Sequence, residues 1–213
     1  VAMGGYTKAL GGASFAMGYQ TSAVGTASVA MSYQTTALGF GSVAMGWSTE
    51  AGQAGLGYSV AMGGYTKALG GASFAMGFYT KASGTSSVAM GYQTTALGNY
   101  SVAMGSNTFA SGDYSLAMGN GTIASGDNSL VIGRYNSPDS NHLFQIGYGN
   151  NQTSRKNVFI VDKYGNLSGG DASFGFIETN TISVITIIGG HASFTNVDII
   201  DGFLNLRGAT MCG

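Results

Sequence analysis

Charge, proline and cysteine are scarce in this chain, and each shortage excludes a class of protein. Only 8% of the residues are charged and the formal net charge is −1, so the composition offers no basic surface for nucleic acid or for an anionic membrane. Pro138 is the single proline and the glycines have no three-residue period, which excludes collagen. Cys212 is the single cysteine, which excludes an intrachain disulfide and a cysteine-based metal site.

Long hydrophobic runs are also missing. No stretch of eighteen apolar residues occurs, so we expect no membrane-spanning helix. The chain starts at Val1 without a visible signal peptide, and we interpret it as a fragment or a processed piece. With 44% hydrophobic residues and 11% aromatic residues, it still has enough apolar surface to form a packed core.

An internal repeat dominates the chain from its first residue. An apolar anchor followed by a small residue recurs every fourteen residues, with one spacing of seventeen between Met45 and Met62. A segment of eighteen residues is also duplicated, because residues 1–18 and 60–77 are identical. These structural anchors are Met3, Met17, Met31, Met45, Met62, Met76, Met90, Met104, Met118, Ile132 and Ile146.

The positions around the anchor are nearly as regular, and the unit can be written S-[VF]-A-M-G-x-x-T-x-A-x-G-x-x. Its apolar and small residues alternate with a period of two, which is typical of strands and not of helices. Two strands and two turns rich in Gly, Asn and Tyr would complete one flattened coil. The sequence therefore predicts an all-β fold, a parallel β-solenoid in which each coil stacks on the next.

The sequence does not decide which face of the first strand lies inside the coil. The simplest interpretation places Val and Met in the interior, opposite a small wall formed by the Thr, Ala and Gly of the second strand. The Ser/Ala/Gly face of the first strand would then pack against another copy of the chain. Lys8, Glu50 and Lys67 follow the anchors by five residues and are expected on the polar outer face.

The repeat degenerates towards the C-terminus, which divides the chain into three predicted regions. Residues 1–133 form the β-roll, and residues 134–167 form a degenerate coil followed by a strand, a turn around Asp162–Gly165 and a second strand. Residues 168–213 form a β-rich tail, for which an intertwined triple-stranded β-prism is a candidate structure.

The unit SVAMGYQTTALGNY at residues 87–100 resembles the head repeat of YadA-like trimeric autotransporter adhesins, with Met in place of Ile. The resemblance extends over residues 1–133 and implies a left-handed parallel β-roll, an obligate homotrimer and a role in surface attachment. No heptad stalk and no membrane-anchor strands accompany the repeats. The stretch VFIVDKYGNL at 158–167 is instead similar to the junction that follows such repeats in phage and large-virus fibre proteins, which favours an extracellular virion fibre over a bacterial outer surface.

The aromatic residues of the first turn are the candidate ligand contacts, for a host-surface glycan or protein. The alternative is that they only stack on one another between coils. Tyr6, Tyr65 and Tyr79 stand one position later in the same turn. The five candidates are Tyr19, Tyr33, Trp47, Phe78 and Tyr92.

Other sites find little support in the sequence. His142 and His191 are isolated and no catalytic motif is present, so no enzyme activity and no cofactor are expected. Asp113 and Asp127 lie one coil apart and could hold a cation, but turn capping is the simpler interpretation, and no metal site is predicted. The function predicted is a structural or adhesive fibre segment, with a ligand-free architectural spacer as the alternative. An ice-binding solenoid is a remote third possibility, suggested by the column of threonines.

Overall fold

The computed structural model describes residues 1–169, which lie in one compact unit spanning Val1–Ser173. Each coil of the repeat contributes one long strand and one two-residue strand. The predicted tail, together with His191 and Cys212, falls outside the described residues except at its first two positions. Within residues 1–169, no helix is long and apolar enough to cross a membrane.

Within residues 1–169, the long strands form one sheet of thirteen strands, in which successive coils pair in parallel as far as the strand His142–Tyr148. Partners are in register residue for residue, so that Met76 pairs with Met90 and Ala75 pairs with Ala89. The strands of this sheet are β1 Ala2–Met3, β3 Phe15–Tyr19, β5 Val29–Tyr33, β7 Val43–Trp47, β9 Val60–Gly64, β11 Phe74–Phe78, β13 Val88–Tyr92, β15 Val102–Ser106, β17 Leu116–Asn120, β19 Leu130–Arg134, β20 His142–Tyr148, β21 Asn157–Asp162 and β22 Leu167–Ser168.

The short strands of the described chain form the opposite sheet, of nine strands, which ends there at Ile123–Ala124. Together the two sheets make an all-β solenoid, as the repeat predicts. The strands of the second sheet are β2 Lys8–Ala9, β4 Ser22–Ala23, β6 Thr36–Ala37, β8 Glu50–Ala51, β10 Lys67–Ala68, β12 Lys81–Ala82, β14 Thr95–Ala96, β16 Phe109–Ala110 and β18 Ile123–Ala124.

The core consists of small side chains from both sheets. The alanine immediately before each anchor and the alanine six residues after it are 0% exposed in coil after coil, as at Ala89 and Ala96. Ser87 and Thr94 are buried beside them. Several core serines also donate a hydrogen bond to the carbonyl oxygen of the glycine three residues earlier, as Ser101 does to Gly98 at 2.6 Å. The interior is therefore filled by Ser and Ala on one wall and by Thr, Ala and Gly on the other.

This arrangement corrects the predicted interior of the coil. The Thr/Ala/Gly wall does face inward, but Val and Met do not lie opposite it. The anchors point outward instead, with Met76 and Met118 exposed to 37% and 39%. Because a coil with a two-residue strand and two tight turns holds its sheets close together, the space between them accepts only small side chains. Within the described part of the chain, the face left without a packing partner is therefore the apolar one.

The extra residues of the seventeen-residue unit leave this register intact. Met45 pairs with Met62 as other anchors do, and residues 53–56 are exposed at the second turn. Gln53, Ala54 and Gly55 therefore belong to a loop outside the coil, and the stack of strands continues past them.

Both turns of the coil place a residue in the left-handed backbone region. In the second turn Ala27 has a φ of 57°, and Gly41 has a φ of 60° at the same position of the next coil. Residues other than glycine lose about 1–2 kcal/mol in this conformation, so these turns carry a repeated conformational cost.

We expect Ala27→Gly to raise the free energy of unfolding by about 0.5–1 kcal/mol. Glycine removes the free-energy cost of the left-handed backbone in the folded state, and this gain exceeds the loss that comes from the higher conformational entropy of glycine in the unfolded chain. Urea denaturation at equilibrium measures the change. Ala30→Gly, in the core of the adjacent strand, should lower stability in the same experiment, and equal effects of the two changes would contradict the expectation.

The last coils close the solenoid with a hairpin. The segment 136–141 forms a loop, β20 pairs in parallel with β19, and β21 and β22 pair as antiparallel strands around the turn that follows Asp162. Asp162 Oδ1 accepts hydrogen bonds from the backbone N–H groups of Tyr164 and Asn166, at 2.8 and 2.9 Å. These bonds, with one from the Asn166 side chain as the largest influence, lower the pKa of Asp162.

Candidate ligand-binding surface

Aromatic side chains form a continuous ladder along the first turn. Each of the five predicted contacts is the last residue of a long strand and points away from the core. The rings of Tyr19 and Tyr33 are stacked with centroids 5.5 Å apart, and Tyr33 meets Trp47 edge to face at 6.4 Å. Farther along, Phe78 and Tyr92 are stacked at 6.1 Å.

The ladder both stacks and remains accessible. The predicted stacking between coils is present, yet each of the five rings is 40% or more exposed, and Trp47 reaches 52%. Half-exposed aromatic rings combine a flat apolar face with, in Tyr and Trp, a polar edge. Such a surface can bind a ligand by stacking, and a ligand contact at these five residues stays a prediction.

Tyr65 and Tyr79 join the ladder from the following position of the turn, although the sequence-based prediction of ligand contacts omits both. Their rings are stacked with centroids 4.8 Å apart, and Tyr65 also lies 5.3 Å from the ring of Trp47. The sequence carries a signal for them, since both follow an anchor by three residues. What it does not carry is their left-handed backbone, with φ of 53° and 57°, which turns the two rings towards the ladder.

The coils of this solenoid match a known family of repeats. The family model described as the YadA head domain repeat (2 copies) matches residues 57–80, 82–108 and 110–136. These coils are YadA-like head repeats. The matched segments cover more than a third of the chain, and residues 1–18 repeat part of them identically. A comparison with curated proteins finds no significant match.

The match to the head repeat indicates a broad class of function. YadA head repeats are typical of adhesin-like trimeric autotransporter proteins and of a surface-exposed location, and they form a structural repeat family and not an enzyme family. An adhesive or structural role for these coils follows from the match.

The two aspartates that could have held a cation are part of a hydrogen-bond ladder in the second turn of the head repeats. Asp113 Oδ1 accepts from the backbone N–H of Asn99 at 2.7 Å, and Asp127 Oδ1 accepts from that of Asp113 at 2.8 Å. Each carboxylate thus caps the coil before it, as the turn-capping interpretation predicts. Among residues 1–169, no group of three or more His, Cys, Asp or Glu side chains is placed to hold a metal ion.

His142 lies in the closing coil and away from the aromatic ladder. Its Nε2 is 3.7 Å from Asp139 Oδ2, while the backbone N–H of Asn141 has the largest influence in lowering the pKa of Asp139. The Asp139 carboxylate thus contacts Asn141 and His142, and neither of these is a hydroxyl or thiol nucleophile.

Proposed function

We propose that this chain is a segment of a homotrimeric fibre, with an adhesive or structural role on the surface of a virion or a cell. The observation that carries the proposal is the apolar outer face of the long-strand sheet. We define this face by two columns of residues: the anchors and the residues two positions before them.

The apolar face is unusual for the surface of a single chain. Its two columns run through eleven coils and contain only Val, Phe, Leu, Met and Ile. None of the anchors and none of the residues two before them is fully buried within the described chain, and Met17, for example, is 37% exposed. Continuous apolar patches of this kind mark protein interfaces. Because every coil presents the same apolar residues, a partner with the same repeat length fits best, and two further copies of this chain provide one.

Met90→Glu should dissociate the trimer, because it places a carboxylate in the middle of the apolar face of every copy. Sedimentation equilibrium of the unmodified chain should give three times the mass of 21.6 kDa, and the variant should sediment as a monomer. Sedimentation of the unmodified chain as a monomer would contradict the proposal.

Thr95→Glu is the matched control. Thr95 lies on the outer face of the opposite sheet, and its column already contains a glutamate at Glu50. We expect this variant to remain trimeric, so that loss of the trimer in both variants would point to a general effect of charge and not to the apolar face.

The aromatic ladder is the proposed contact with a host surface. Changing Tyr19 or Trp47 to alanine should reduce binding in a screen of host cells and surface glycans, because half-exposed rings would otherwise stack on the ligand. If the unmodified chain binds nothing in that screen, the alternative of an architectural spacer is preferred.

The setting of the fibre is indicated by the stretch that follows the repeats. The similarity of residues 158–167 to junctions in viral fibres supports a virion fibre, and a bacterial outer surface remains the alternative. Ice binding loses its basis, because the threonine column is 0–1% exposed at Thr21, Thr49 and Thr94 and faces the core. Thermal hysteresis equal to that of buffer is expected.

A further inference from the structure

A groove of about 620 Å³ lies on the outer surface where the first turn meets the short-strand sheet. Its volume is within the range of about 300–1,000 Å³ that is usual for sites of small ligands. It crosses four consecutive coils, each contributing side chains from the first turn or from the short strand. Among the residues that line it are Gln34, Ser48, Glu50, Tyr65, Lys67 and Tyr79.

The groove results from a change in side-chain size along a single column. Gln34, Ser48, Tyr65 and Tyr79 all stand three residues after an anchor and all have a left-handed backbone, with φ of 51–57°. Ser48 is small and lies between the longer Gln34 and the large ring of Tyr65. The missing volume at Ser48 opens the groove, and Tyr65 forms one of its walls.

That wall is held in place before any ligand arrives. The ring of Tyr65 contacts Trp47 at 5.3 Å, Phe78 at 5.8 Å and Tyr79 at 4.8 Å between centroids. Phe78 in turn lies over Gly64, where an added Cβ would be 2.7 Å from its ring. Fixed side chains lose little conformational freedom on binding, which favours affinity.

Hydrogen-bonding groups surround the rings. Lys67 Nζ is 3.2 Å from Glu50 Oε2, and an exposed ion pair of this kind adds little to stability. It does place an ammonium group and a carboxylate side by side in the groove. Ser48 Oγ donates to Gln34 Oε1 at 3.3 Å. Within residues 1–169, the hydroxyl groups of Tyr65 and Tyr79 form no hydrogen bond, so both are available to a ligand.

We propose that this groove binds a short carbohydrate chain, a proposal that rests on the adhesive role proposed above and gives it a ligand class. Sugar rings have an apolar C–H face and a rim of hydroxyl groups. The Tyr65 and Tyr79 rings match the first, and the closely spaced donors and acceptors of Glu50, Lys67 and Ser48 match the second.

The same surface suits a peptide less well. One common way for an extended peptide to bind is to add a strand to a sheet edge, but β8 is paired with β6 on one side and β10 on the other. Its backbone groups are therefore already used. The groove is also open to solvent, and Ser48, Glu50 and Lys67 lie between its rings, so it has no deep apolar pocket for a peptide anchor.

The intrinsic fluorescence of Trp47, the single tryptophan of the chain, reports on this groove because its ring contacts Tyr65. The full chain is titrated with short neutral oligosaccharides and with a matched set ending in sialic acid. A saturable change with at least one set is expected, and the comparison of the sets shows whether a carboxylate on the sugar contributes through Lys67.

The variants Tyr65→Phe and Lys67→Met should each weaken this binding roughly five-fold, the effect of one lost hydrogen bond. The duplicated segment provides matched controls. Tyr6→Phe and Lys8→Met change the same residues in an identical stretch of eighteen residues, where no coil with a Ser48 equivalent precedes them in the described chain, and they should leave binding unchanged.

Two results would overturn the proposal: no saturable change with either set at millimolar concentrations, or equal effects of the groove variants and their controls. Neither result bears on the fibre itself. The trimer is measured by sedimentation, and attachment to host cells is measured with the unmodified chain. If both groove variants still attach to host cells, the groove is not the site of attachment, and the adhesive role is unaffected.

Discussion

Replacing Gly70 with alanine is expected to destabilise the solenoid by about 3 kcal/mol or more. The added Cβ would overlap the carbonyl group of Gly84, the equivalent glycine of the next coil. Backbone atoms of a paired coil cannot turn away as a side chain can, so the spacing between the two coils has to increase. The Gly70 carbonyl also accepts a hydrogen bond from Ser59 Oγ at 2.7 Å, and displacement of the chain would strain this bond.

The neighbouring residue provides a close control for this change. An alanine at Gly71 would meet only the side chain of Leu56, at 3.7 Å, which is an ordinary van der Waals contact. Equilibrium unfolding in urea should therefore show a large fall in the midpoint for Gly70→Ala and a change within about 0.5 kcal/mol for Gly71→Ala. A similar fall in both would mean that any side chain in this turn is harmful, and that the stacking of coils does not explain the glycine.

The solenoid itself was predictable because its information is local and repeated. A period of two within each unit indicates strands, and a fixed spacing between anchors indicates parallel stacking in register, which the pairing of Met76 with Met90 confirms. The three extra residues between Met45 and Met62 neither hide the repeat in the sequence nor interrupt the stack of strands, because the anchors on either side of them still pair.

The sequence left open which face of the long strand points inward, and the simplest interpretation, with Val and Met inside, was wrong for a physical reason. Alternation shows which residues share a face but not which face points inward. A small wall opposite appeared to leave room for Val and Met. One clue did lie in the sequence, namely the serine that follows a glycine by three residues in most coils. In a tight turn this spacing lets the serine hydroxyl reach the glycine carbonyl, as Ser115 does to Gly112 at 2.6 Å, which directs the serine face inward.

The candidate site was predictable in part for the same reason. Aromatic residues recur at one position of the unit, so a ladder such as that of Tyr19 and Tyr33 follows from stacking alone. The groove beside Ser48 depends on how a left-handed turn aims each side chain and on the size of its neighbours in space. Neither property can be obtained from the spacing of the repeat.

The closing end of the core carries the second large effect that we expect. Among residues 1–169, β18 is the last strand of the short-strand sheet, and no described strand pairs with its outer edge. The carboxamide of Asn136 takes that place: Oδ1 accepts from Ile123 N at 2.7 Å, and Nδ2 donates to Ile123 O at 2.9 Å and to Gln145 Oε1 at 2.7 Å. Asn136 is 0% exposed and stands where other coils have threonine, so a side chain here completes the hydrogen bonding of a buried edge.

Asn136→Leu should therefore lower the free energy of unfolding by about 3 kcal/mol or more, because it removes the side-chain partner of both backbone groups of Ile123 and the shorter of the two hydrogen bonds to Gln145 Oε1. Thermal and urea unfolding measure the loss, with Asn150→Ala, at an exposed position, as the control that should behave as the unmodified chain. An unpaired sheet edge also promotes pairing between chains, so light scattering of the folded variant should rise with concentration. Unchanged stability would show that water or a neighbouring segment satisfies the edge, and that Asn136 is not the residue that ends the solenoid.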